Sequence, residues 1–410
     1  MVRDIEHTVH PVDAASLLAL VPGPPQVLAL GEPTHGAQDL LRLRNTLFRE
    51  LVEQYGYRTI ALETDCLAGL LVDDYVTTGR GDLDHVLAHG LSHDWGAYPG
   101  NRELVRWMRA HNDGRPAAQQ VRFAGVDGPL EISAAASPRA ALTALHGYLA
   151  ARVDADLLPC TADVLDRIIG PDDRWTQPAA MTDPTRSVGQ SAEARELRLL
   201  ADDLATLLDT HAPQLLARST PQERDRAHLY ARTATGLLRY HFWMADPSPA
   251  RMTRLLGIRD TMIADNLLAL AGRSPVLVNA HNSHLRRGRS TLRMWDHPRL
   301  EWWGAGALVD ARLGDRYAFV ATALGTLRHQ GVDVPEPDTV EGRLYALDRD
   351  RLLVDAPGLR VALGDETAGT GTARPALAAR TSPWFGYAPL DPARLTDQDG
   401  IVFLRDVAEG

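Results

Sequence analysis

Acidic and histidine side chains follow four short apolar runs of the sequence. The runs span residues 27–30, 59–62, 121–126 and 275–278. The polar residues that come after them are, in chain order, Glu32 and His35, then Glu63, then Asp127, then His281 and His284. Single polar residues follow strands in many proteins as caps and turns. The joint occurrence of two histidine-bearing and two acid-bearing ends favours a reactive site.

Two kinds of chemistry suit these residues. Without a metal, a neutral histidine near its pKa can take a proton from water while a carboxylate fixes its tautomer. With a metal, His35, His281, His284 and a glutamate match the ligand set of a hydrolytic zinc centre. The spacing of His281 and His284 is also usable for ligation. The residues themselves leave both alternatives open.

Arg44 is expected to support this site from the segment that follows His35. At about 100° per residue, Arg44 lies near the middle of an apolar helix face made by Leu40, Leu41, Leu47, Phe48 and Leu51. A buried guanidinium keeps its charge and is costly without a partner. We therefore expect a carboxylate beside it, and Glu32 and Glu63 are the natural candidates. The alternative is that Arg44 reaches the rim of the sheet and donates to carbonyl groups.

The elements that must position these residues alternate between strands and helices. The four apolar runs are typical of buried strands, and residues 38–54, 67–76 and 101–111 have helical character. Short buried strands separated by helices predict an α/β fold with a parallel sheet covered on both faces. Ligands of such sheets bind beyond the carboxyl ends of the strands, where the polar residues lie.

The middle of the chain has a different pattern. Long helices are predicted there at residues 134–149, 192–211, 222–244 and 260–271. We therefore expect residues 1–130 to form the first part of the α/β core and residues 271–410 the second part. Residues 131–270 are expected to form a mainly helical insertion or lid that leads back to the core.

Composition excludes several classes of function. All 43 basic residues are arginine, so a Walker-type phosphate loop, a protein-kinase site and a pyridoxal Schiff base, which need lysine, are excluded. A GxSxG serine elbow is also missing. The net charge of −10, without an arginine-rich run, argues against a nucleic-acid partner. No stretch approaches the roughly 18 apolar residues of a membrane helix, and without a secretory signal we expect a cytoplasmic protein.

These residues and their neighbours resemble the erythromycin esterase family. The likeness lies in Gly31-Glu32-Pro33-Thr34-His35-Gly36, in Arg44 and Glu63, in Trp107-Met108-Arg109 with Asn112, in Gly125-Val126-Asp127, in Arg259-Asp260 with Met262 and Asn266, and in His281-Asn282-Ser283-His284. The motifs extend over residues 27–290, with a weaker echo at 399–403. Their order and intervals together make the signal specific.

The resemblance implies a three-layer α/β core, with a mainly parallel sheet and a large helical insertion that forms a cleft. It implies hydrolysis of an ester, and macrolide lactones are the family's known resistance substrates. The partner would be a small-molecule substrate, a large natural product, with no membrane or nucleic acid involved. No cofactor is implied, because the family's esterases are regarded as metal-independent.

Residue roles follow from the same resemblance. His35 matches the family's general base that activates water, and the other essential positions match Glu32, Arg44, Glu63, and His281 or His284. We expect a second group to bind substrate: Asp127, Arg259, His93 and Trp95. The loop with His93 and Trp95 could give a cleft an aromatic wall or, equally well, anchor a packed loop.

Two other functions stay open. Family members also occur in biosynthetic settings, where the same residues can serve elimination, cyclisation or acyl transfer. Pro33 and the helical region 130–250, which would shape a cleft, are individual to this chain. Alternatively, a protein of related fold can hold a metal or haem between His35, His281 and His284 without turnover.

Overall fold

A computed structural model describes residues 3–131, 134–292, 299–365, 377–382 and 386–408 of the chain. The strands of these residues are β1 (Val9–His10), β2 (Val27–Glu32), β3 (Thr59–Asp65), β4 (Arg122–Asp127), β5 (Leu130–Glu131), β6 (Ala134–Ala135), β7 (Val276–His281), β8 (Arg289–Leu292), β9 (Leu300–Trp303), β10 (Tyr317–Thr326), β11 (Arg351–Asp355) and β12 (Gly400–Asp406).

The α-helices of the described ranges are α1 (Arg3–Glu6), α2 (Ala14–Ala19), α3 (Gln38–Gln54), α4 (Gly69–Thr78), α5 (Leu83–Gly90), α6 (Pro99–Asn112), α7 (Arg139–Ala150), α8 (Ala162–Ile169), α9 (Ala192–Thr210), α10 (Ala212–Arg218), α11 (Pro221–Met244), α12 (Arg251–Ala271), α13 (Asn282–Leu285), α14 (Ala305–Leu313), α15 (Val340–Tyr345) and α16 (Ala356–Asp365). No helix of these ranges is both long and apolar enough to cross a membrane.

Eight strands form one sheet in the order β1-β11-β12-β10-β2-β7-β3-β4. The six strands from β12 to β4 run parallel, and β11 and β1 continue the sheet antiparallel at one edge. The chain therefore has the predicted α/β fold with a mainly parallel sheet. β7 enters between β2 and β3 although it comes much later in sequence, and this crossover determines which strand ends become neighbours.

Helices cover both faces of the sheet, which explains why its strands are apolar throughout. In β2, Leu28 and Leu30 belong to the apolar cluster that also contains Phe48 of α3. Val27 and Ala29 belong to the opposite cluster, which contains residues of α12 and α14. Successive strand residues point to opposite faces, so a strand buried on both sides has no polar alternation.

The predicted helices are confirmed in part. Residues 38–54 form α3 as predicted, whereas the helix predicted at 134–149 begins only at Arg139. Ala134 and Ala135 instead pair with β5 in a short hairpin. Pro138 explains the difference, because proline lacks the N–H and the backbone freedom that a helix interior requires.

Most of the helices between β6 and β7 pack among themselves. Helices α7 to α11 share an apolar cluster that includes Leu142, Leu197, Leu204 and Leu238. Helix α12 differs, because Ile263 belongs to the cluster on the sheet. α12 therefore joins the helical region to the strand ends, and its side chains reach the site described next.

Candidate active site

Strand order brings the predicted polar residues to one edge of the sheet. β7 pairs with β2 so that His281 lies opposite Glu32, and on its other side β7 pairs with β3 up to the residue before Glu63. β4 extends the row and ends at Asp127. We call the resulting group the histidine–acid cluster; it comprises Glu32, His35, Glu63, Asp127, Arg259, Asp260, His281 and His284.

His35 lies in the turn between β2 and α3. Its Nδ1 atom is 2.7 Å from Oε1 of Glu32. An ionised carboxylate only accepts hydrogen bonds, so Nδ1 carries the proton. The turn requires Gly36, whose φ is +82° and whose missing side chain leaves room for Tyr98. Glu32 thus fixes the ring so that Nε2 is the atom with a free lone pair in the neutral form.

The Nε2 side of His35 faces the rest of the cluster. Nε2 is 3.9 Å from Oε1 of Glu63, beyond hydrogen-bond distance, and the side chain is 34% exposed. The ring centroid lies 4.9 Å from that of Trp95 and 5.3 Å from that of His281. Burial lowers the pKa of His35, but Glu63 and Glu32 outweigh burial, and the pKa is raised above its ordinary value.

Glu63 is the buried centre of the cluster. Its Oε1 accepts from Nη2 of Arg259 at 3.0 Å and lies 3.3 Å from Nε2 of His284. Its Oε2 accepts from the backbone N–H of His281 at 2.7 Å. Burial would raise the pKa of Glu63, but His284, His35 and Arg259 hold it well below its usual range. Glu63 is therefore an anion shared by several cations.

His284 lies between two buried carboxylates. Its Nδ1 is 2.7 Å from Oδ1 of Asp260, and its Nε2 faces Glu63. Asp260 also accepts from the indole N–H of Trp302 and, at 3.0 Å, from the backbone N–H of Ala305. Burial lowers the pKa of His284, but Asp260 and Glu63 outweigh it and raise the pKa to about 10. At neutral pH His284 is an imidazolium with both N–H groups engaged.

His281 is held in the opposite state. Its Nε2 is 3.2 Å from the carbonyl oxygen of Pro33 and 3.3 Å from that of Gly386. Carbonyl oxygens only accept, so Nε2 carries the proton and Nδ1 accepts from the backbone N–H of Ser283 at 3.3 Å. Burial, together with the charge of His35, lowers the pKa of His281 to about 3. Both ring nitrogens of this neutral histidine are engaged.

Asp127 and Arg259 form the third side of the cluster. Asp127 is fully buried at the end of β4, and Arg259 on α12 donates to its Oδ2 through Nε at 2.9 Å and through Nη2 at 2.6 Å. Burial lowers the pKa of Arg259, but Asp127 and Glu63 outweigh it and raise the pKa. This forked ion pair is charge-assisted and holds Arg259 against Glu63.

Arg44 is buried as predicted, but its bonding partners differ from the expected carboxylates. Its guanidinium donates to side-chain amide oxygens, to Asn45 at 2.9 Å, to Asn101 at 2.9 Å and to Asn279 at 3.3 Å. Glu32 acts on it only through its charge; burial lowers the pKa of Arg44 to about 10 in spite of that charge. The expectation of a direct carboxylate bond is therefore wrong, because three amides supply the acceptors.

The loop before α6 places Trp95 beside His35. Asn101 accepts from Arg44 and donates to the carbonyl oxygen of Trp95 at 3.0 Å, so the buried arginine also fixes this loop. The ring of His93 lies 5.7 Å from Trp95, and the φ of His93 is +59°. The ring of Trp95 thus contacts His35, and the ring of His93 contacts that of Trp95.

Sequence reasoning did not assign Asp260 or Trp302 to the site. Asp260 lies on the same face of α12 as Ile263 and Leu267, three and seven residues further on, and all three are buried. A carboxylate at a core-facing helix position needs a cationic partner, which is the argument that singled out Arg44. That signal could have found Asp260. Trp302 gives no such signal, because buried tryptophans are common in cores.

The three histidines differ in protonation and in access. His281 is neutral, His284 is cationic, and His35 has an accessible Nε2 and a pKa that Glu63 and Glu32 raise above its ordinary value. Within the described ranges, no three His, Cys, Asp or Glu side chains are grouped to hold a metal ion. The arrangement can take a proton at one atom, Nε2 of His35, beside a fixed array of charges.

Comparison with known proteins gives a consistent family. A curated relative named erythromycin esterase type II, from Escherichia coli, is 31% identical over 108 residues, which are 26% of this chain and 24% of that protein. This match therefore spans only about a quarter of the curated relative's length.

Two solved structures share the fold. A succinoglycan biosynthesis protein aligns with a TM-score of 0.71 at 16% identity, over 99% of this chain and 96% of that chain. An erythromycin esterase variant, EreC in its open conformation, aligns with a TM-score of 0.65 at 16% identity, over 96% and 93% of the two chains. The sequence model described as erythromycin esterase matches residues 52–407. Because that match spans most of the chain, the protein belongs to the erythromycin esterase family.

Proposed function

We propose that this protein hydrolyses an ester or lactone through a water molecule activated by His35. The observation that carries the proposal is that the three histidines differ in their contacts. Both ring nitrogens of His281 and of His284 make hydrogen bonds or ion pairs, whereas Nε2 of His35 is 3.9 Å from Glu63 on a side chain that is 34% exposed. A general base needs a free lone pair within reach of water.

The reaction follows from this geometry. Nε2 of neutral His35 takes a proton from water, and the oxygen of that water forms a bond to the carbonyl carbon of the ester. The tetrahedral intermediate collapses with cleavage of the bond to the alcohol oxygen, and His35 returns the proton to that oxygen. The products are the acid and the alcohol. Glu32 keeps Nδ1 protonated through both transfers.

The other charged residues support the base. We assign Glu63 and Glu32 the stabilisation of the imidazolium that His35 becomes, since both carboxylates face its ring. Arg259 carries the cation that favours the oxyanion, because Asp127 fixes its guanidinium against Glu63, the carboxylate that faces Nε2 of His35. Arg44 is 2% exposed, so we assign it a positioning role through Asn101 and the Trp95 loop.

The substrate we favour is a large lactone natural product. The name of the Escherichia coli relative is that of a macrolide esterase. The loop with His93 and Trp95 lies over His35 and gives an aromatic wall for such a substrate. We further propose that residues 131–270 shape the cleft, with residues 1–130 and 271–410 forming the core, and that catalysis needs no metal.

The test is a panel of macrolides and other lactones incubated in ¹⁸O-labelled water and analysed by mass spectrometry. Hydrolysis places one labelled oxygen in the product acid, and the rate should be unchanged by a chelator. Conversion without label would instead favour the non-hydrolytic alternative, elimination, cyclisation or acyl transfer at the same base. A rate that falls with chelation and returns with a metal would contradict metal independence.

A further inference from the structure

A cavity that lies outside the histidine–acid cluster has an excess of arginine. It lies over the start of the edge strand β4, between α4 on one side and α11 and α12 on the other, and its volume is about 310 Å³. Its lining includes five arginines: Arg58, Arg122, Arg226, Arg232 and Arg273. We call it the arginine pocket. It shares none of its lining residues with the histidine–acid cluster.

Carboxylates balance only part of this charge. Asp73 pairs with Arg122, and Asp225 pairs with Arg273 at 3.0 Å; both aspartates belong to the lining. Arg226 pairs with Asp74 outside the lining. Each of these three arginines therefore has its own acid.

Arg58 and Arg232 are bonded differently. Arg58 donates to the carbonyl oxygens of Val52 at 3.0 Å and of Tyr57 at 2.8 Å. Arg232 donates through Nε to the amide oxygen of Asn266 at 3.2 Å. All these acceptors are uncharged. Burial, with Arg273 nearby, lowers the pKa of Arg232 in spite of Asp265 and Asp225, so the carboxylates around Arg232 do not offset its burial.

Two further features of the arginine pocket suit an oxygen ligand. The Gln222 amide, turned so that its oxygen faces its neighbours, accepts from Nη2 of Arg122 at 3.1 Å and from Nη2 of Arg226 at 3.3 Å. One oxygen atom thus already bridges two guanidinium groups. Nε of Arg226 is buried without a hydrogen-bond partner among the described residues. The chain as a whole carries a net charge of −10, so the charge of a cationic cavity is opposite in sign to that of the whole chain.

We propose that the arginine pocket binds a small polyvalent oxyanion of the phosphate type, either free or carried by a metabolite. Arginine presents several N–H groups in a planar fork that suits phosphate oxygens. The cavity volume lies at the lower end of the ~300–1,000 Å³ that is usual for small-molecule sites. The arginine side chains are half-buried to exposed, so an anion can enter from solvent and still meet several guanidinium groups.

The bound anion also has a route to the histidine–acid cluster. Asn266, which accepts from Arg232, donates to the backbone carbonyl of Val126 at 3.0 Å. Val126 directly precedes Asp127, the partner of Arg259. Two hydrogen bonds therefore connect Arg232 to the strand end that fixes the cluster.

Isothermal titration calorimetry on the full chain tests the proposal at constant ionic strength, with pyrophosphate, inorganic phosphate and glucose 1-phosphate as probes. We expect saturable binding of one anion per chain. Arg232→Gln should weaken it at least tenfold. The matched control is Arg239→Gln, the same change two turns along α11 at a residue outside the pocket, which should alter affinity less than twofold.

A second variant keeps the test independent of folding. Ala118 is exposed at the rim of the pocket, so Ala118→Glu adds a competing carboxylate without removing any packing, and it should also weaken binding at least tenfold. Tighter binding of glucose 1-phosphate than of inorganic phosphate would identify a metabolite, and the reverse a free anion. Absence of saturable heat, or an affinity in Arg232→Gln and Ala118→Glu equal to that of the parent, would overturn the proposal. His35→Ala should bind as the parent does, so this result is separate from that for hydrolysis.

Discussion

Arg259 and Arg232 are both half-buried, yet the groups around them shift their pKa values in opposite directions. Arg259, in the histidine–acid cluster, meets Asp127 and Glu63, and these carboxylates raise its pKa despite burial. Arg232, in the arginine pocket, bonds to an amide, and burial, with Arg273 nearby, lowers its pKa in spite of Asp265 and Asp225. In the cluster each cation therefore pairs with carboxylates, whereas the pocket has cations in excess.

The difference separates two uses of buried charge. In the cluster, removal of one member leaves an opposite charge buried alone, which costs both stability and function. In the pocket, removal of a cation relieves repulsion and withdraws a donor from a ligand. Substitutions in the two regions should therefore have unequal effects, and the following predictions run from the largest to the smallest.

The largest expected effect is on activity, at His35. His35→Ala removes the proton acceptor, and general-base catalysis is typically worth ~10²- to 10⁴-fold in rate. We expect a loss of that size in kcat, with the thermal midpoint little changed because the side chain is 34% exposed. His111→Ala on α6 is the control, and its rate should stay within about twofold of the parent. Full activity in His35→Ala would show that His35 is not the general base.

Stability should depend strongly on Glu63. Glu63→Gln leaves Arg259 and His284 without their shared anion, and breaking a buried ion pair costs ~3–5 kcal/mol. Urea unfolding measures the loss. The control is Asp113→Asn, which breaks the pair with Arg109 on α6, where the aspartate side chain is 77% exposed; surface pairs contribute ~0–1 kcal/mol. Equal losses in the two variants would contradict the role of Glu63.

The pH dependence of stability should have opposite signs at His284 and His281. The pKa of His284 is raised to about 10, so its contribution is fully present below about pH 6.5 and is lost as pH rises towards 10. The pKa of His281 is lowered to about 3, so stability falls as pH drops from about 6.5 towards 3, because only the unfolded chain takes up this proton.

Unfolding free energies measured across pH test this pair of signs. His284→Gln should flatten the alkaline slope and leave the acid slope, and His281→Gln should do the reverse. If both variants lost the same slope of unfolding free energy against pH, His281 and His284 would not differ in protonation.

The smallest effect is expected in the arginine pocket. Arg232→Gln removes a cation whose hydrogen bond goes to an amide, so without added anion we expect the unfolding free energy to change by less than ~1 kcal/mol. Arg259→Gln, the same change in the cluster, should cost ~3–5 kcal/mol. A loss at Arg232 as large as that at Arg259 would show that Arg232 is balanced by groups other than those described.

Sequence patterns locate the strand ends of the site because burial and polarity change sharply there. Glu32 is the last residue of β2, His281 is the last residue of β7, and Glu63 lies near the end of β3. Because these strands are parallel, their ends lie at the same edge of the sheet. What no local pattern shows is the order of the strands, in which β7 enters between β2 and β3. The contact between Glu63 and the backbone of His281 depends on that crossover.

Partners at long range are harder to predict than burial. The helical phase of Arg44 correctly indicates a buried side chain, but its acceptors on Asn101 and Asn279 come from α6 and β7. Asparagine has no periodic pattern that marks it as an acceptor for a remote arginine. The opposite protonation states of His281 and His284 also depend on three-dimensional contacts, because the carbonyl of Pro33 and the carboxylate of Asp260 decide them.

Nitrogen NMR of the ¹⁵N-histidine-labelled protein measures directly whether His35, unlike His281 and His284, is free to exchange a proton. Signals would be assigned with His35→Asn, His281→Asn and His284→Asn. We predict that His35 keeps its proton on Nδ1 and titrates above 6.5, that His281 keeps its proton on Nε2 down to about pH 3, and that His284 stays doubly protonated to about pH 10. His35 fixed with its proton on Nε2, or His281 or His284 titrating near neutrality, would contradict the account.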